Sequence, residues 1–233
     1  MDKRFFTLGN VSFTFTLVQG GTFFQGAQNT DSLDKNFDVD SYEEGPVREV
    51  TLPDFFIAPI PLTLDLWTAA GRNVNADSPA ISPETPVTHI NALDVTLFIE
   101  YLNSRLHRDG QLQPEERFHL PSEDQWEFAA RGGLLSKGFR MSGGLYLQEV
   151  AWAEGRVETE WAQPVARKQP NELELYDMSG NVWEMTSVRH PSKGLLAKGG
   201  AWDSPYNDCR ITARKWFSPV TRSRSLGFRL ALY

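Results

Sequence analysis

The chain has 233 residues, 40% of them hydrophobic, and a formal net charge of −7. That length buries a full core, and fifteen Phe with seven Trp exclude a disordered chain. A single cysteine excludes an intramolecular disulfide framework, and no apolar run approaches the roughly 20 residues of a membrane-spanning helix.

MDKRFF runs into alternating FTFTLV rather than into an apolar signal segment. The chain therefore reads as soluble, either cytoplasmic or exported with its leader trimmed. Residues 11–26 read as a strand, a turn at Gly20–Gly21 and a second strand, because Phe13, Phe15 and Leu17 alternate with Thr14, Thr16 and Val18. Residues 27–46 are polar, acidic and loop-like. VREVTL and DFFIAPI predict two strands around Pro53, and Pro59 and Pro61 end the run.

Thr63 is the expected cap of a short helix, LDLWTAAG, ending at Gly71. After a connection over 72–90, Asn91 caps the strongest predicted helix. Its apolar stripe is Val95, Phe98, Ile99, Leu102 and Leu106, with Gly110 past its end. Ser122 and Gln125 form an S-x-x-Q capping box for another helix, which Gly132 stops. Beyond Gly133 the chain is Gly-rich and aromatic, with short strand-like pieces and no linker, so a single domain over 1–233 is expected.

Charge is uneven. From Lys193 to Tyr233 there are eight Lys or Arg and two Asp, a balance of +6 within a chain of −7. Docking of this basic part on the acidic remainder is the expected explanation. A local site for an anion is the alternative. The global charge and the lack of a recognition module argue against a nucleic-acid partner.

Four segments occur in order: VQGGTFFQG (18–26), LPSEDQWEFAARGG (120–133), LELYDMSGNVWEM (173–185) and KGGAW…CR…SLGFRLALY (198–233). Together with EEGPVREVTLPDFFIAPIPLT they resemble the formylglycine-generating enzyme family, also called sulfatase-modifying factors. The resemblance implies an α+β, C-type-lectin-like fold with two main helices, a small antiparallel sheet and much irregular structure. Trp126 and Trp183, beside Ala129 and Gly180, are expected in the core.

In the enzymes of that family two cysteines near the C-terminus act with copper and oxygen. The resemblance puts Ser204 at the first cysteine position and Cys209 at the second, with Ala201 where the enzymes carry a serine. A hydroxyl does not replace a soft thiolate on Cu(I), so copper is disfavoured and Cys209 reads as a buried small hydrophobe. The resemblance further implies a calcium loop: carboxylates from Asp177 and Glu184, backbone carbonyls from Gly180 and Val182. These are hard oxygens on a glycine-containing turn, as Ca²⁺ requires. A second calcium site of the family is expected to be lost at Val150–Ala151. No Walker A, G-x-S-x-G or H-E-x-x-H pattern occurs, and His89, His107, His119 and His190 are scattered.

The same frame carries the variable proteins of diversity-generating retroelements, whose C-terminal residues change by mutagenesis at adenines. Asp203, Ser204, Tyr206, Asn207, Asp208, Ser218, Val220, Thr221, Ser223, Arg224 and Ser225 are of the accessible types. The expected function is non-catalytic ligand binding or display. The recognition face would comprise Trp202, Asp203, Ser204, Tyr206, Asn207 and Asp208, with Trp216, Ser218, Val220, Thr221, Ser223 and Arg224. Its ligand is a protein, a small molecule or a glycan. The enzyme alternative is a copper-dependent oxidase acting through Cys209 on a cysteine of a sulfatase-type peptide. A structural subunit of a larger assembly is a third class.

Overall fold

The computed structural model describes residues 2–41, 43–74, 82–155 and 161–233. Strand β1 (Lys3–Leu8) and strand β2 (Val11–Val18) form an antiparallel hairpin through Gly9 at φ +59°. Strand β1 is not among the elements expected from the sequence. The Gly9–Asn10 pair was the available turn signal. Strand β3 (Gly21–Gln25) pairs with β4 (Arg48–Leu52), and β5 (Phe55–Ile57) follows.

Helix α1 spans Leu64–Ala69, with Thr63 at its N-cap position. Its hydroxyl bonds the Asp65 carboxylate and not a backbone N–H, so the expected side-chain cap does not form. Helix α2 (Ala92–Arg108) starts with a full capping box between Asn91 and Asp94, and buries Val95, Phe98, Leu102 and Leu106 of the stripe, with Ile99 half-buried at its edge. Strand β6 (Phe118–His119) precedes helix α3 (Glu123–Ala130), whose Ser122–Gln125 box is reciprocal. Gly132 ends that run at φ +92°. Helix α4 is one turn, Leu147–Val150. Strands β7 (Trp183–His190), β8 (Gly194–Lys198), β9 (Arg214–Phe217), β10 (Leu226–Phe228) and β11 (Ala231–Leu232) complete the chain.

One sheet has the order β1-β2-β5-β11-β6 and another β10-β7-β8-β9, beside the β3–β4 ribbon. The C-terminal strand thus lies between β5 and β6, and pairing it there requires contacts from both halves of the chain. The main core packs α1 and α2 against both sheets through Phe6, Phe15, Trp67, Phe98, Phe118, Trp183 and Phe228. Trp126 and Trp183 are both core residues, as expected.

The basic C-terminal stretch docks on acidic partners. Lys198 pairs with Glu127 at 3.2 Å, Arg210 with Asp38 at 3.1 Å and Glu44 at 2.9 Å, and Arg214 with Glu123 at 2.5 Å. Arg222 meets Asp94 and Arg229 meets Glu184. With Lys193 at 3.6 Å from Glu43, six of the eight cations are paired with acids of the described residues, which explains a basic stretch in an acidic chain without invoking an anionic ligand. Among the described residues no helix is long and apolar enough to cross a membrane.

Candidate functional site

The Gly199–Gly200 pair is a steric requirement. Gly200 has φ +75°, and a Cβ there would lie 2.7 Å from Asp208 O and 2.8 Å from Cys209 Sγ. A Cβ on Gly199 would lie 3.0 Å from the Trp126 ring. This close packing lets the segment after β8 thread beneath the 206–209 turn, and it fixes the surroundings of Cys209.

Cys209 is 0% exposed, in a cluster with Met141, Leu147, Val150, Ala151 and Ala153. Burial, with Asp208 and Asp203 adding repulsion, pushes its thiol up to about 12. A thiolate is therefore strongly disfavoured at neutral pH. Ser204 is 3% exposed, and its hydroxyl accepts the Ala201 N–H at 3.0 Å. These two positions hold the backbone together and present no pair of sulfurs.

The 199–204 segment is stitched to the Asp177–Glu184 loop. Gly180 N–H donates to Gly199 O at 2.7 Å, and Trp202 N–H to Asn181 O at 3.0 Å. Asp177 and Asn181 adopt φ of 57° and 63°. Gly180 has φ +78°, and a Cβ there would lie 2.1 Å from Trp152 O.

Calcium would need hard oxygens with capacity left over. Glu184 already accepts Arg229 Nε and Nη2 at 2.6 Å each and Trp126 Nε1 at 2.7 Å. Asp177 is different: it accepts Ala166 N–H at 2.8 Å and a long 3.4 Å bond from Asn181. Burial raises its pKa to about 6, the signature of a carboxylate short of positive charge. Glu184 is thus committed to Arg229 and Trp126, and Asp177 keeps the weaker set of partners.

The predicted recognition residues divide. Asp203, Tyr206 (43% exposed), Asn207, Ser218, Val220 (76%) and Arg224 are at the surface. Asp208, Trp216, Thr221 and Ser223 are half-buried. Ser204 and Trp202, the latter 6% exposed, are inside, so their expected place on an exposed face is corrected: both are framework. Ser204 turns its hydroxyl back to the Ala201 N–H, and Trp202 is held from outside the segment by Asn181 O and Arg224 O.

Trp202 joins the two predicted segments. Its indole N–H donates to Arg224 O at 3.3 Å, and the Arg224 guanidinium lies 5.3 Å from its ring. The same guanidinium lies 5.7 Å from Trp161, within cation–π range of both rings. Lys168 Nζ stands 4.0 Å over Trp152. The sequence reading did not find Trp152, Trp161 or Lys168, because nothing in their spacing links them to the C-terminal segment. Trp216 lies elsewhere, on β9, packed with His190 at 5.8 Å and Lys193 at 5.7 Å.

Residues 11–233 match the Sulfatase-modifying factor enzyme 1-like domain. The chain is 29% identical to "Chaperone protein LppX" of Paenibacillus barcinonensis, over 88% of this chain and 85% of that one. It is 25% identical to "Inactive C-alpha-formylglycine-generating enzyme 2" of Bos taurus, over 99% and 92%. Among solved structures, "Treponema denticola variable protein 1" superposes with a TM-score of 0.80 at 24% identity, over 98% of each chain. That likeness shares the fold.

Proposed function

The chain belongs to the sulfatase-modifying factor enzyme 1-like domain family, and from that premise we propose that it is a non-catalytic ligand-binding or display protein on this scaffold. One observation carries the reading. The lone thiol, Cys209, is sealed in an apolar cluster with its pKa pushed up to about 12, and the sequence has no second cysteine. Copper-dependent thiol oxidation needs soft, ionised sulfur, and this residue supplies none.

The recognition surface comprises Asp203, Tyr206, Asn207, Ser218, Val220 and Arg224, with Trp161 and Trp202 supporting Arg224. Tyr, Asn and Ser, with Arg224 over two indoles, offer stiff contact area with adaptable hydrogen bonds. The fold shared with a protein named a variable protein supports display, including diversification by a retroelement. The relative named as an inactive formylglycine-generating enzyme supports loss of catalysis. A C-type-lectin-like use of the scaffold, with calcium at Asp177 and the Gly180 and Val182 carbonyls, is part of the same proposal.

The test has two arms. Incubation with Cu(I) and a cysteine-containing sulfatase-type peptide should give no aldehyde, and iodoacetamide should leave folded Cys209 unmodified. Alanine at Asp203, Tyr206, Asn207 or Val220 should each change unfolding free energy by less than about 0.5 kcal/mol. Aldehyde product would end the proposal. A strongly destabilised set of loop variants would end the display reading.

A further inference from the structure

A separate cleft opens where two strands of the five-stranded sheet diverge. β2 and β5 pair only at Thr16–Ile57, Leu17–Phe56 and Val18–Phe55. The rest of β2, from Phe15 back to Val11, stays paired with β1 on its other side. After Ile57 the opposing chain turns away. Ala58 N–H donates to Leu230 O, and Pro59 and Pro61 have no N–H with which to rejoin a ladder. The wedge between Val11–Phe15 and Ala58–Leu62 has a volume of about 370 Å³, within the usual range of ligand sites.

The parity of β2 decides what faces this wedge. Leu17 N–H donates to Asp2 O, on the β1 side. Backbone groups of successive strand residues point to opposite edges, so Phe15, Phe13 and Val11 also face β1. Thr16, Thr14 and Ser12 face the other way. Thr16 meets Ile57. Beyond it, no strand lies against Thr14 and Ser12 among the described residues. Two N–H and two C=O groups, about 7 Å apart along the strand, therefore aim into the cleft. Phe13, Pro61 and Leu66 give it apolar walls, with Asp65, Glu84 and Arg167 also lining it. Arg167 pairs with Glu84 at 2.5 Å, whereas Asp65, bonded by the Thr63 hydroxyl and the Leu66 N–H, has no ion-pair partner among the described residues.

We propose that this cleft takes an extended peptide segment of a protein partner, added as a strand to the open edge of β2. An aliphatic side chain of the guest packs on Phe13 and Pro61, and a lysine or arginine reaches Asp65. Main-chain bonds supply the affinity, and alternate side chains supply the preference. The repeat of donor and acceptor at strand spacing is what selects a peptide over a compact small molecule.

The full chain, ¹⁵N-labelled, is titrated with an acetylated and amidated Val-Lys-Val-Thr tetrapeptide. In the free protein the Ser12 and Thr14 amides should exchange with solvent far faster than those of Phe13 and Phe15. Peptide should slow them at least tenfold, with shifts centred on Val11–Phe15 and Ala58–Leu62. Two singly N-methylated peptides, modified at adjacent amides, should differ at least tenfold in affinity, because only one of two neighbouring amides faces β2. Replacing the peptide lysine by glutamate should weaken binding at least fivefold. Protection of Thr14 without peptide would overturn the proposal, as would no shift at millimolar peptide, shifts centred on Tyr206 and Arg224, or equal affinity of the two N-methylated isomers.

Discussion

Glu127 is fully buried, with Arg131 Nη2 at 2.7 Å, Lys198 Nζ at 3.2 Å and the Gly26 N–H at 2.8 Å. Burial alone would raise its pKa. The charges of Lys198 and Arg131, with the Gly26 N–H, instead hold it at about 2, against an ordinary 4.5. A difference of about 2.5 pH units at about 1.36 kcal/mol each is about 3 kcal/mol of stability. The folded pKa is the lower one, so the contribution is complete above pH 4.5 and is lost as pH falls towards 2. Glu127→Gln removes it and leaves buried Lys198 with Glu123 at 3.6 Å as its remaining carboxylate. Urea unfolding at pH 7 should place the variant about 3 kcal/mol below wild type. That gap should close between pH 4.5 and 2.5. A gap under about 1 kcal/mol at pH 7, or one that does not change with pH, would refute this account of the pair.

Arg229→Met should cost about 3–5 kcal/mol, because it strands the buried Glu184 carboxylate. Adding Glu184→Gln, which still accepts the Trp126 indole N–H, should recover a large part of that loss in a denaturant double-mutant cycle; strictly additive costs would refute the coupling. Asp177 has a folded pKa raised to about 6 from 3.8, so in chelator its ionised form costs stability above pH 6, and that cost is relieved as pH falls towards 4. Added calcium should raise Tm at pH 7 and flatten this pH dependence; an unchanged Tm would remove calcium from Asp177. Gly180→Ala should destabilise by more than about 2 kcal/mol, since its Cβ would meet Trp152 O at 2.1 Å in a left-handed conformation; near-neutral unfolding would show that the loop relaxes freely.

Local chemistry made some of the molecule readable. The capping boxes at Asn91 and Ser122 and the stripe of α2 depend on residues three and four apart, and they form as the sequence requires. Thr63 shows the limit even there: its position was right, but Asp65 competes for its hydroxyl. Strand β1 shows weaker alternation than β2, and its turn signal is the Gly9–Asn10 pair. The motif-bearing segments all lie within or overlap residues 11–233, the span that matches the family.

The sequence by itself determined the family, the ends of α2 and α3 and the absence of a second cysteine, because each is written in residue type and short spacing. Only the tertiary structure decided which C-terminal residues face solvent. Ser204 and Asp203 are adjacent and both polar, yet Ser204 turns inward to the Ala201 N–H and Asp203 faces out. It also brought Trp161 to Arg224 and Arg229 to Glu184, pairs 63 and 45 residues apart. Their meeting depends on how the whole chain closes on itself, and no local pattern encodes that.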